Sequence, residues 1–204
     1  MPNWCSNTIV IRGDESKIKT ILEKIGDQLN TSKCWLFESL IGVDPNLATI
    51  GWYESNLKRF GTKWDVSVNE SNVEFCDDMI TMSPSTAWSP PVKFCETLAK
   101  EYGVSVTVSF YEPGCDFAGR ITFDENGEIT EEIDHTYMEG LYHMDNEWFW
   151  SEIDQIDFPL DYDKTPEDYV KNNFPFINAV DKDKVADKYK MYILDQETED
   201  EDGD

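Results

Sequence analysis

The chain has 204 residues, of which 42 are acidic and 17 basic, and a formal net charge of −25. That field repels phosphate and anionic lipid, so direct nucleic-acid or membrane-surface binding is not expected. A hydrophobic content of 40%, with 7 Trp, 9 Tyr and 11 Phe, is enough for a core and excludes disorder throughout.

In chain order, residues 8–12 form a β-branched run that reads as a strand, ended by Gly13. Asp14 opens a helix with Ile18, Ile21, Leu22, Ile25 and Leu29 at helical spacing. Residues 30–50 read as irregular, with Phe37, Leu40 and Ile41 laid over the sheet edge. A short helix over 52–60, with Trp52, Leu57 and Phe60 inward, is stopped by Gly61. Residues 63–68 then read as a strand whose antiparallel partner is 73–83. Pro90-Pro91 opens a second long helix with Val92, Phe94, Cys95, Leu98 and Ala99 as its buried stripe, and Gly103 closes it. Strands follow over 104–111 and 117–123, and Asp124-Glu-Asn-Gly127 turns into a last strand through Ile129 and Ile133.

The expected fold is therefore α+β: a ferredoxin-like antiparallel sheet with two long helices on one face, spanning residues 1–133. Residues 134–204 read as an acidic, aromatic-rich and partly helical C-terminal extension. Thr165 is the N-cap of one helix there, and a second short helix covers 181–194. The charge divides along similar lines: residues 1–123 carry 16 acidic and 11 basic side chains, net −5, whereas 124–204 carry 26 and 6, net −20.

Five cysteines, Cys5, Cys34, Cys76, Cys95 and Cys115, include no Cys-x-x-Cys pair and read as reduced thiols. No stretch approaches the roughly 20 apolar residues of a membrane span. Met1-Pro-Asn-Trp4 lacks the basic and apolar regions of a leader, so the expected location is cytoplasmic. No cofactor is expected.

Four short words stand out: Met1-Pro-Asn-Trp-Cys-Ser-Asn7, Gly61-Thr-Lys-Trp-Asp65, Thr86-Ala-Trp-Ser-Pro-Pro91 and Tyr111-Glu-Pro-Gly-Cys-Asp-Phe-Ala-Gly119. They resemble a family with a YubB-type ferredoxin-like domain, carried mainly by phages and plasmids, over residues 1–130. The resemblance implies the same fold and a mobile-element setting; it supplies no activity and no catalytic residues.

Each word has a structural and a functional reading. Trp4 caps the core while Asn3 and Asn7 satisfy strand ends, or Trp4 stacks on a planar ligand. Trp64 enters the core, or Lys63 and Trp64 meet a ligand; the word lacks the upstream glycine of a phosphate-binding loop. Ser89 caps the helix that follows, and Trp88 belongs to the core or to a pocket. Glu112 or Asp116 pairs with Arg120 around a tight turn, or the carboxylates and Cys115 perform acid–base or nucleophilic work. His135, Glu139 and His143 are spaced for one helical face and could hold a metal, although a structural zinc site usually brings cysteines.

Taken together, these features give a non-enzymatic protein of a phage or plasmid that binds and inhibits or modulates a basic host or defence protein, with its acids imitating the charge of nucleic acid. The residues expected to carry this are Glu131, Glu132, Asp134, Asp145, Glu147, Trp148, Trp150, Asp154, Asp157, Asp161 and Asp163. The alternative is a small-molecule binder, perhaps for a nucleotide signal, using Asn3, Trp4, Asn7, Lys63, Trp64, Trp88, Glu112, Asp116 and Arg120. That alternative requires Trp4, Lys63, Trp64, Trp88 and Arg120 to converge.

Overall fold

The computed structural model describes residues 3–29, 34–45, 47–144, 146–156, 158–159 and 165–201. The chain divides into two compact units, Met1–Tyr137 and Met138–Asp204.

The first unit is built on β1 (Trp4–Arg12), α1 (Glu15–Leu29), α2 (Leu36–Ile41), α3 (Leu47–Ile50), α4 (Trp52–Phe60), β2 (Glu74–Cys76), β3 (Met79–Met82), β4 (Ser85–Ala87), α5 (Val92–Tyr102), β5 (Ser105–Glu112), β6 (Phe117–Phe123) and β7 (Ile129–His135). The seven strands form one antiparallel sheet in the order β2-β3-β1-β5-β6-β7, with β4 paired to the start of β1. Alternation decides which face is covered. Cys5, Ile9 and Ile11 of β1 and Val106, Val108 and Phe110 of β5 point into the core. There they meet Ile18, Ile21 and Ile25 of α1, Phe37 and Leu40 of α2, and Phe94, Cys95 and Leu98 of α5. The intervening strand residues on the other face are mostly polar, among them Ser6, Thr8, Thr107, Ser109 and Thr122.

This is the ferredoxin-like α+β arrangement expected from the periodicity, with α1 and α5 on one side of the sheet. Three local expectations are corrected. Residues 63–68 form no strand: among the described residues the segment makes one bridge, Ser67 to Trp35, and the antiparallel partners of β3 are β2 and β1. Residues 30–50 are not all irregular, since α2 brings Leu36, Phe37 and Leu40 into the core. In α4 only Phe60 of the three expected residues is buried; Trp52 and Leu57 are exposed. Gly61 closes α4 in the left-handed region (φ 82°). A Cβ there would lie 3.2 Å from the Lys93 amide, so the glycine also lets α4 end against the start of α5.

The second unit contains most of α6 (Tyr137–Met144), then α7 (Asn146–Ile153), α8 (Pro166–Asn173) and α9 (Ala179–Glu201). Thr165 caps α8 as expected, its Oγ1 accepting from Asp168 N at 3.1 Å. Helix α9 is longer than the 181–194 read from the sequence. The unit has its own core of Leu141, Phe149, Ile153, Phe158, Val170, Phe174, Val185 and Tyr189. Phe158 stacks on Tyr189 at 4.8 Å. Phe149, Phe158, Phe174 and Tyr189 of this acidic stretch are thus consumed in packing.

Candidate functional site

The four sequence words meet at one end of the sheet of the first unit. Asn7 is buried, and its Nδ2 donates to Cys5 O, Pro84 O and Thr86 Oγ1 at 2.9 Å each, joining the first word to the third. Thr62 Oγ1 donates to Ala87 O (3.0 Å) and Ser89 Oγ to Gly61 O (2.8 Å), joining the second word to the third. Ser89 is therefore a tie between loops and not the expected cap of α5. Asn3 Nδ2 reaches Cys115 Sγ at 3.7 Å in the fourth word, and Asn3 O accepts from Trp88 N at 2.9 Å.

The tryptophans of the first three words come together, and they do so at the surface. Trp4 lies 6.3 Å from Trp64, and Trp64 stacks on Trp88 at 6.1 Å. The Lys63 ammonium sits 4.4 Å from the Trp64 ring centre and 4.7 Å from that of Trp88. Trp4 is 51%, Trp64 37% and Trp88 43% exposed, so the core-cap reading of these residues is corrected. Trp88 holds φ at +67°, a left-handed backbone that a tryptophan adopts at a cost.

Beside the cluster lies a cleft of about 610 Å³ lined by Trp4, Trp35, Trp64, Asp65, Val66, Ser67, Glu70, Ser71, Ser85, Thr86 and Ala87. Trp35, 41% exposed, stands outside the four words and was not singled out from the sequence. It occupies the position before α2, off the helix's buried stripe, so periodicity carries no trace of its role. Glu70, on the rim, follows no motif either.

Asp65 fixes the floor of this cleft. It accepts from Phe37 N (2.8 Å), Glu38 N (2.8 Å) and Val66 N (2.7 Å), capping α2 from a distant loop because Trp35 offers no side-chain cap. Burial pushes its carboxyl above the ordinary value, and the three amides pull the other way without cancelling it.

Arg120 does not join the cluster. Its Nε donates to Ser109 Oγ at 3.2 Å on the polar face of the sheet, which also corrects the expected pairing with Glu112 or Asp116. Asp116 sits at φ 54° and accepts from Tyr137 N at 3.0 Å. Glu112 is buried and caps the turn after β5, accepting from Gly114 N (2.8 Å) and Cys115 N (2.6 Å). Burial opposes its ionisation, but hydrogen bonds from the Cys115 thiol, those amides and Asn3 outweigh it and hold its pKa below the usual value. The same contact with Glu112 raises the Cys115 thiol, the opposite of what activates a nucleophile. A lowered folded-state pKa stabilises above the unfolded value, and that contribution is lost as pH falls through the folded one. Glu112→Gln is accordingly expected to flatten the acid limb of stability, checked by thermal melts between about pH 3 and 7; an unchanged acid limb would show that Glu112 does not set it.

The acidic residues expected to bind a partner fall on both units. Glu131, Glu132 and Asp134 are exposed on the edge strand β7. In the second unit Glu147 is exposed, Trp148 is 44% exposed with its Nε1 donating to Glu152 at 2.9 Å, and Trp150 is half-buried beneath Lys184. Asp154 is ion-paired with Lys188. Asp145, Asp157, Asp161 and Asp163 lie outside the described residues. His135 ends β7 while Glu139 and His143 lie on α6, so the three do not share the helical face that the metal reading required.

The architecture defines a ferredoxin-like α+β protein. Residues 63–149 match a family model described as "Ferredoxin-like domain in Api92-like protein", a similarity that takes in the third and fourth words and the last three residues of the second. The chain is also similar to the crystal structure of a protein api92 from Yersinia pseudotuberculosis, at 8% identity and a TM-score of 0.46, covering 67% of this chain and 98% of that one. No curated protein matches the sequence.

Proposed function

We propose that the chain is a non-enzymatic binding protein that engages a basic protein partner in the cytoplasm, its acidic surface standing in for the charge of nucleic acid. The observation that carries this reading is the uncompensated charge of residues 124–204, 26 acidic against 6 basic side chains. Three of the six lysines there are also paired internally: Lys184 with Asp181 at 2.9 Å, Lys188 with Asp154, and Lys190 with Glu167 at 2.7 Å. The resemblance to phage- and plasmid-borne proteins supports a host or defence protein as the partner.

Steering by such a field speeds association and weakens with salt, because exposed charges are screened beyond about 10 Å at 0.1 M ionic strength. Added to a panel of DNA-binding proteins of the host, the protein is expected to displace fluorescent duplex DNA from at least one of them. The displacement should weaken at least tenfold between about 50 and 300 mM salt. Failure to displace DNA from any member at low salt would overturn the mimicry.

The tryptophan cluster favours a second reading, a small planar ligand stacked on indole in the manner of a nucleobase, with Lys63 as the adjacent cation.

A further inference from the structure

We infer that the tryptophan cleft is a receptor for a cationic side chain, an arginine or lysine of a basic polypeptide, held against indole faces beside Glu70. This deepens the basic-partner reading by locating where that partner is gripped.

The lining of the cleft carries the inference. Trp4, Trp35 and Trp64 form its aromatic walls, all more than a third exposed, and Glu70 and Asp65 are its charged members. Among the described lining residues there is no lysine or arginine. A nucleotide phosphate placed there would meet the Glu70 carboxylate on a chain of net charge −25, whereas a guanidinium or ammonium meets both the negative faces of the indoles and that carboxylate. Ser67, Ser71, Ser85 and Thr86 add hydroxyl groups around the same space.

The cluster also shows its preference directly, since it already holds one ammonium. Lys63 Nζ rests on Trp64 and Trp88, and it pairs with no carboxylate among the described residues. Lys63 is not part of the cleft lining, and among the described residues no cation rests on Trp4 or Trp35, so that wall is open to a second cation. Arginine suits this site best, because its planar guanidinium can stack on an indole and still donate to Glu70. The Asp65 cap holds the loop that bears Trp64 against the start of α2, next to Trp35, so the cleft is formed before any partner arrives.

The test uses the full chain and a deca-arginine peptide, followed by calorimetry and by the indole N–H signals of a ¹H–¹⁵N spectrum. Saturable binding is expected, with the indole signals of the cleft tryptophans moving. Trp64→Ala should weaken it about tenfold and Glu70→Gln severalfold, while Glu23→Gln, on the exposed face of α1, should leave it unchanged. If Trp64→Ala fails to fold, Glu70→Gln and the wild-type indole shifts still decide the question. Salt-sensitive peptide binding that both variants retain would overturn the cleft as the receptor and leave the basic-partner reading standing. No peptide binding at all would sink both. If adenosine monophosphate moves the indole signals and the peptide does not, the cleft takes planar anions and the inference is wrong.

Discussion

Replacing Gly119 with alanine is expected to destabilise the first unit by about 2–3 kcal/mol. The residue lies within β6, opposite Phe110 of β5 on one side and Asp134 of β7 on the other. A Cβ added there would stand 2.6 Å from Ile133 O and 2.7 Å from Phe110 Cζ. The first of these atoms is backbone, and the second belongs to a phenylalanine packed in the core against Phe117. Neither yields without moving a strand or opening the sheet–helix interface. Urea unfolding followed by circular dichroism would measure the loss; a change below about 0.5 kcal/mol would mean that β7 shifts freely and that the glycine has no packing role.

Asp65→Ala is expected to cost about 2–4 kcal/mol, since it leaves three backbone amides without their acceptor and uncaps α2. That helix contributes Leu36, Phe37 and Leu40 to the core, so its loosening spreads beyond the loop. Asp65→Asn should recover only part of the loss, because its amide can present one oxygen to donors that now divide between two. Tryptophan fluorescence should report the same event at Trp35 and Trp64. Unchanged stability in Asp65→Ala would show that water satisfies these amides as well as the carboxylate does.

Much of the first unit is legible in the sequence because two signals agree there. Helical spacing in α1 and α5 fixes the face that each turns inward, and alternation in β1, β5 and β6 fixes the face of the sheet that receives them. The pairing of β3 was less accessible. Val66 and Val68 mimic an alternating strand, but Asp65 folds back to cap α2, and β1 takes the place that local pattern assigns to residues 63–68. Contacts between loops override propensity here.

The candidate site was legible as a set of words, since tryptophan beside glycine or proline at element ends marks chain reversals that must meet other parts of the fold. Its orientation was not. Whether Trp64 faces core or solvent depends on where α2 and α4 lie, which periodicity alone does not give. Trp35 had no word to mark it. Conversely, the aromatics of the acidic stretch looked like a recognition surface because sequence shows their charged neighbours and not the partners across α7, α8 and α9 that bury Phe149, Phe158, Phe174 and Tyr189.

The acidic edge strand has a practical side. Among the described strands β7 pairs only with β6, so its outer backbone groups are open, and Glu131, Glu132 and Asp134 guard them by repulsion. Near the isoelectric point of about 4.2 the chain carries no net charge, so repulsion between copies no longer keeps a neighbouring molecule from extending the sheet. Acidic crystallisation screens or elution buffers will therefore select for sheet-extended aggregates, whereas neutral, low-salt storage keeps the edge closed to its own kind.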